Sequence, residues 1–314
     1  MPEILEKNKL GTTNLMVTPI CVGGAPFGNL PKEFGYEVSE EQAIATVKRV
    51  FESGINFLDT ANLYGRSEER IGKAIRELGG LPKDMIIATK ADRDPSTNDA
   101  SADQIESSVE NSLKLLGLDY LPLVYLHDPE FYTQNFDEVM GSNGAVARLH
   151  KLKDQGIIGN IGISGGPAEM LIRYVNTGAF TAVITHNRYT ILNRNAQELI
   201  NIASEKGLGV VNAAVFGSGV LVKGSSYPKY AYRVIPPDLA EKVKGIEKLC
   251  QEYSVPMGAV ALQFSLRNPK IHSTVAGVAS PQEVDQLLSF AKVNIPDELW
   301  SQVDQFKTDK DPES

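Results

Sequence analysis

Short apolar runs alternate along the chain with longer segments in which apolar positions recur every three or four residues. The runs at 20–22, 56–58, 86–89, 123–126, 160–163, 182–185, 209–212 and 273–275 predict strands. The amphipathic segments at about 41–53, 67–78, 101–116, 144–154, 167–176, 195–206, 237–253 and 281–290 predict helices, with Ser, Asp, Asn or Pro near several starts. Eight strand-helix units imply a parallel (β/α)8 TIM barrel, because parallel neighbours need a crossover and these helices supply it. One such barrel accounts for residues 1–314 as a single domain.

Two segments break the repeat. Residues 3–17, with Gly11-Thr12-Thr13 between short runs, read as an N-terminal hairpin closing the barrel floor. Longer loops follow the fourth and seventh strands, at 128–143 and 214–236, and contain Phe131, Tyr132, Tyr227, Tyr230 and Tyr232. Loops at the C-terminal strand ends form the active face of such barrels, so these aromatics are candidates for a substrate mouth. The polar tail 308–314 reads as disordered.

Composition narrows the function classes. The 314 residues are 42% hydrophobic, enough for a large core, and the formal charge of −8 comes without a basic block. That argues against nucleic acid or an anionic membrane as partner. Cys21 lies in an apolar strand and Cys250 on a helix face, far apart in sequence, which reads as two buried free thiols and no metal site. The start Met1-Pro2-Glu3 lacks a basic segment followed by an apolar one, so the expected location is the cytoplasm, with self-association left open.

Four polar residues follow apolar runs at the ends of the second, third and fourth strands: Asp59 and Tyr64, Lys90, and His127. A free phenol has a pKa near 10 and exchanges protons poorly at neutral pH unless a cation eases its ionisation. Lys90 is placed to supply that cation, Asp59 to hold it charged, and His127 to hydrogen-bond a substrate oxygen or the phenol. Each residue alone has an ordinary structural explanation. Together, on neighbouring strands, they make a proton relay available at one rim.

At these positions the chain resembles the aldo-keto reductase family, from about Leu10 to Trp300. The run Asp59 to Tyr64, Gly65, Ser67 and Glu68 matches a family signature almost residue for residue, and the resemblance assigns Asp59, Tyr64, Lys90 and His127 as the catalytic tetrad. It implies hydride transfer between a nicotinamide cofactor and a carbonyl or alcohol.

There is no Gly-x-Gly-x-x-Gly after the first strand, so a Rossmann reading fails. The resemblance instead lays an extended dinucleotide along strands five to eight. It implies Gly24, Ser164, His186, Asn212, Phe216, Ser218, Gly219, Leu221, Gly277 and Glu283 as cofactor contacts, with backbone N–H groups of 212–221 wrapping the pyrophosphate. Phe27, Asp128 and Arg188 are the implied substrate-pocket residues. Gly165 and His186 depart from the usual asparagine and glutamine, and Ala213 from the usual aromatic.

The segments Leu126 to Pro129, Arg188 to Leu192 and Val211 to Gly219 are similar to the branch holding aldose dehydrogenases of fucose, galactose or arabinose type and pyridoxal dehydrogenases. That implies oxidation of an aldose at C1 to its lactone. A general aldehyde or ketone reductase and a pyridoxal dehydrogenase are the alternatives, and a cofactor-sensing regulatory subunit is the alternative of another class. Around Gly277 to Gln286 the chain carries Glu283 and no basic residue, which implies NAD in preference to NADP.

Overall fold

The structure is a computed structural model and describes residues 5–312. Its centre is a closed barrel of eight parallel strands: β1 (Ile20–Gly23), β2 (Phe57–Asp59), β3 (Ile86–Ala91), β4 (Leu121–His127), β5 (Ile158–Gly165), β6 (Ala182–His186), β7 (Gly209–Ala213) and β8 (Ser273–Gly277). All eight predicted strands are present. Closure comes from β8, which pairs with β7 on one side and with β1 on the other, Thr274 opposite Ile20 and Gly277 opposite Gly23. No barrel strand is left with a free edge.

The longer helices are α1 (Glu40–Glu52), α2 (Ser67–Glu77), α3 (Ala102–Leu116), α4 (Ala145–Asp154), α5 (Ala168–Val175), α6 (Gln197–Glu205), α7 (Pro237–Glu252), α8 (Met257–Leu266), α9 (Pro281–Lys292) and α10 (Asp297–Val303). Hydroxyl caps fix several starts: Ser39, Ser101 and Ser280 accept from the backbone N–H of Gln42, Gln104 and Glu283. The helix that completes the seventh unit differs from the expected one. It is α8, packed on β8 and α9, whereas the predicted helix α7 lies farther out against α10. Eight of the ten residues of α8 are buried, so its sequence Met-Gly-Ala-Val-Ala-Leu-Gln-Phe-Ser-Leu has no amphipathic stripe to read.

The barrel floor is closed as expected. Asn8–Lys9 pairs antiparallel with Met16–Val17, and Leu10, Leu15 and Val17 pack among Phe57, Leu123, Tyr125 and Val211. Burying Leu10 contributes about 2 kcal/mol of transfer free energy. Side chains at the strand starts hold the hairpin, since Asn56 donates to the carbonyl of Met16 at 2.8 Å. Residues 3 and 4 of the expected hairpin lie outside the described residues.

The expected disordered tail has contacts with the barrel over its described part. Thr308 to Asp311 is tied to the segment after β6: Arg194 N–H donates to Thr308 O, Asn193 Nδ2 to Lys310 O, and Arg188 forms a two-pronged ion pair with Asp311. Its polar residues find fixed partners in the barrel, which composition could not show. Residues 313 and 314 lie outside the described residues.

Candidate active site

The four relay residues meet at the C-terminal rim because β2, β3 and β4 are consecutive in the barrel and each ends on, or next to, one of them. Asp59 closes β2, Lys90 is the penultimate residue of β3, and His127 closes β4. Lys90 Nζ donates to Asp59 Oδ2 at 2.6 Å and to Thr60 O at 2.8 Å, with both charged side chains buried. The ammonium lies 4.6 Å from the centroid of the Tyr64 ring. That ring meets His127 edge-on, with centroids 5.7 Å apart.

Tyr64 sits on the turn between β2 and α2. Its neighbours hold the turn from three sides: Leu63 N–H donates to Asp92 Oδ2 at 2.8 Å, Tyr64 N–H to Ala61 O at 3.1 Å, and Arg66 N–H to Gly28 O at 3.2 Å. Gly65 takes φ +54°, a left-handed conformation that favours glycine.

Burial dominates the electrostatics. It pushes the Asp59 carboxyl up against the opposing pull of Lys90. The Tyr64 phenol is also raised well above its ordinary value, first by burial and then by the carboxylates of Asp59, Asp128 and Asp92. The expected easing of Tyr64 by Lys90 is therefore outweighed, and the resting phenol keeps its proton. His127 is raised despite burial, because Asp128 and Asp92 favour its charged form.

Asp92 was not singled out from the sequence. It lies two residues past Lys90, the spacing that keeps side chains on one face of an extended chain, and that period was the available signal. Its Oδ1 pairs with His127 Nδ1. Glu130 was missed as well: its Oε1 accepts from Gly166 N–H at 2.8 Å, and burial with the Asp128 charge pushes its carboxyl up to about 7.

The other candidates divide. Ser164 and His186 reach the same rim on β5 and β6, and Asp128 stands 3.5 Å from His127 Nε2 and 3.9 Å from His186 Nε2. Asp128 Oδ1 and Glu130 Oε2 are buried oxygens that accept no hydrogen bond. Of the expected pocket residues, Phe27 is fully buried in the main core, and Arg188 is buried in an ion pair with the half-buried Asp311. Gly24 is likewise internal, its N–H donating to Asp59 O at 2.7 Å and its carbonyl accepting from Ser67.

Asn212 is fully buried and donates to Tyr189 O and Ser265 Oγ, both at 2.8 Å, so its amide braces the barrel wall. In the loop beyond it, the N–H groups of Gly217, Gly219 and Leu221 donate to carbonyls of the same loop, and Ser218 Oγ accepts from Tyr232 N–H. Phe216 is half-buried against the core, and Leu221 is buried. Gly277 ends β8, exposed. Of the loop aromatics, Phe131 and Tyr232 are exposed while Tyr230 is buried, and Tyr227 donates to Phe34 O at 3.1 Å.

Comparison with known proteins gives the family. The description "Aldo/keto reductase family" matches residues 19–308. L-Galactose dehydrogenase of Arabidopsis thaliana is 31% identical, over 90% of this chain and 86% of its own. D-threo-aldose 1-dehydrogenase of a Pseudomonas species is 30% identical over 92% and 94%, and pyridoxal 4-dehydrogenase of Microbacterium luteolum 28% over 94% and 96%. An aldo-keto reductase of Bacillus halodurans, solved in its holo form, has the same fold, with a TM-score of 0.78 at 24% identity over 97% of both chains. The chain belongs to the aldo/keto reductase family and is an NAD(P)-dependent oxidoreductase.

Proposed function

We propose that the chain is an aldose 1-dehydrogenase, oxidising the anomeric hydroxyl of a sugar to the lactone. The observation that carries this reading is the polar rim beside the relay. Asp128 stands 3.5 Å from His127 Nε2 with a buried oxygen that accepts no hydrogen bond, which suits a substrate bearing several hydroxyls better than an apolar aldehyde. Two relatives named for sugar oxidation, at 31% and 30% identity, support the same choice.

The residues fit a nicotinamide. Glu130 Oε2 is an unpartnered acceptor beside the Ser164-Gly165 strand end, where a β-carbon on residue 165 would meet it at 3.1 Å, and a carboxamide NH2 is a donor of the right kind. Ser164, Glu130 and His186 are the side chains that would hold that group. A nicotinamide held there would supply the acceptor for the hydride leaving C1. The chain's own part is the proton: Tyr64, once its phenol has given up the proton it holds at rest, takes one from the anomeric hydroxyl with Lys90 beside its ring, and His127 holds that oxygen in place. Reduction runs the same exchange with the phenol as donor.

We further propose NAD as the preferred cofactor. Glu283 opens α9, its Oε2 accepting from Ala279 N–H at 2.7 Å, and the segment from Gly277 to Gln286 offers no cation to a 2′-phosphate.

Initial rates over a panel of aldoses, pyridoxal and simple aldehydes, each with NAD and NADP, test the assignment. Oxidation of one or more aldoses with lactone release is expected. Turnover of pyridoxal or simple aldehydes with none of the aldoses would overturn it.

A further inference from the structure

The Asp92 carboxylate is buried, and both of its oxygens are committed to the relay. Oδ1 pairs with His127 Nδ1, and Oδ2 accepts the N–H of Leu63, the residue before Tyr64. Asp92 is itself fixed from α3, its N–H donating to Ser108 Oγ at 2.9 Å and its carbonyl accepting from Gln104 Nε2 at 3.1 Å. A single carboxylate at the end of β3 thus bridges the last residue of β4 and the turn that follows β2.

We propose that Asp92 is a positioning residue: it commits His127 Nδ1, leaves Nε2 as the only ring nitrogen for the substrate oxygen, and sets the Tyr64 turn in the same register. This rests on the relay proposed above. With Nδ1–H held by Asp92, neutral His127 presents a lone pair at Nε2, and only the imidazolium presents N–H there. The protonation state of His127 therefore selects whether it accepts from a substrate hydroxyl or donates to a carbonyl.

Several charged groups face this ring: Lys90 from β3, Asp59 from β2, Tyr64 from the next turn, Asp128 and Glu130 beyond β4, and His186 at the end of β6 through Asp128. Carboxylates outnumber cations around it. The favouring of the charged ring by Asp92 and Asp128 agrees with this arrangement.

The decisive measurement needs no substrate. Titration of 15N-labelled histidines by NMR, with the His127 signals identified by their loss in His127→Gln, is expected to give a wild-type His127 pKa above the ordinary imidazole value of about 6.5. Nδ1 should carry the proton in the neutral form. Asp92→Asn should lower that pKa by about one unit or more, as loss of an adjacent opposite charge does. The pH dependence of turnover should move acid by the same interval, with kcat affected more than KM. A wild-type His127 that titrates at or below the ordinary value, or whose neutral form carries its proton on Nε2, overturns the proposal whether or not the variant folds. An unmoved pKa in a folded Asp92→Asn also overturns it. If no aldose is oxidised while the titration behaves as stated, the substrate reading fails and the role of Asp92 stands.

Discussion

The carbonyl oxygen of Tyr64 lies 1.9 Å from where a β-carbon on Gly28 would sit, so the turn that carries the phenol rests directly on a bare stretch of backbone. A methyl group there has only main-chain atoms to displace. Gly28→Ala is therefore expected to shift the phenol and to slow turnover by about a hundredfold, the scale of an ångström-sized misplacement. Steady-state kinetics together with Tm measure this. Full activity in the folded variant would show that the turn tolerates the displacement.

Tyr64→Phe keeps the ring over Lys90 and removes the hydroxyl proposed to exchange the proton. A loss of at least about a hundredfold in kcat is expected, the low end for general acid-base catalysis. Dinucleotide affinity, read by fluorescence titration, should change little. Near-normal turnover would remove Tyr64 from the chemistry.

Lys90→Met deletes the cation under the ring and leaves Asp59 buried without its partner. The fold should lose about 3–5 kcal/mol, as when one partner of a buried pair is removed. With the neighbouring positive charge gone, the Tyr64 pKa rises further, so the pH–rate profile should move alkaline as activity falls. A slower enzyme with an unmoved profile would assign Lys90 to packing alone.

Glu68 is buried on α2, accepting from Thr89 Oγ1 and Asn62 Nδ2, yet burial still pushes its carboxyl up to about 7. In the unfolded chain it titrates near 4.5. Between those values the folded state holds more protons, so its contribution is fully present below pH 4.5 and is lost as pH rises through about 7. The difference is worth about 3 kcal/mol. Urea denaturation from pH 5 to 8 should show wild type losing stability relative to Glu68→Gln as pH rises. Parallel curves would contradict the assignment.

For cofactor choice, kcat/KM is expected to be higher with NAD than with NADP, and Glu283→Arg should move the ratio toward NADP by supplying a cation. Paired kinetics on both proteins decide it. A wild-type preference for NADP would reject the proposal.

The strands were legible because each is a compact apolar run between turn signals, and the meeting of Asp59, Lys90 and His127 at one rim because they end consecutive runs. What escaped lies in two places. Helix α8 is apolar on all sides, so periodicity had nothing to detect, and α7 offered the amphipathic stripe in its stead. Asp92, Arg188 and Asn212 owe their roles to partners distant in sequence: His127, Asp311 and Ser265. Such a side chain reads as exposed and polar until the fold supplies its counterpart.

The hairpin under the barrel has a kinetic consequence. Among the described residues, Leu10, Leu15 and Val17 fill the lower end of the barrel, so the approach to the site is from the rim holding Tyr64 and His127. Whatever occupies the deeper position there must arrive first and depart last. Two reactants that stack along this one approach would therefore bind and leave in a fixed order, without any moving part to enforce it.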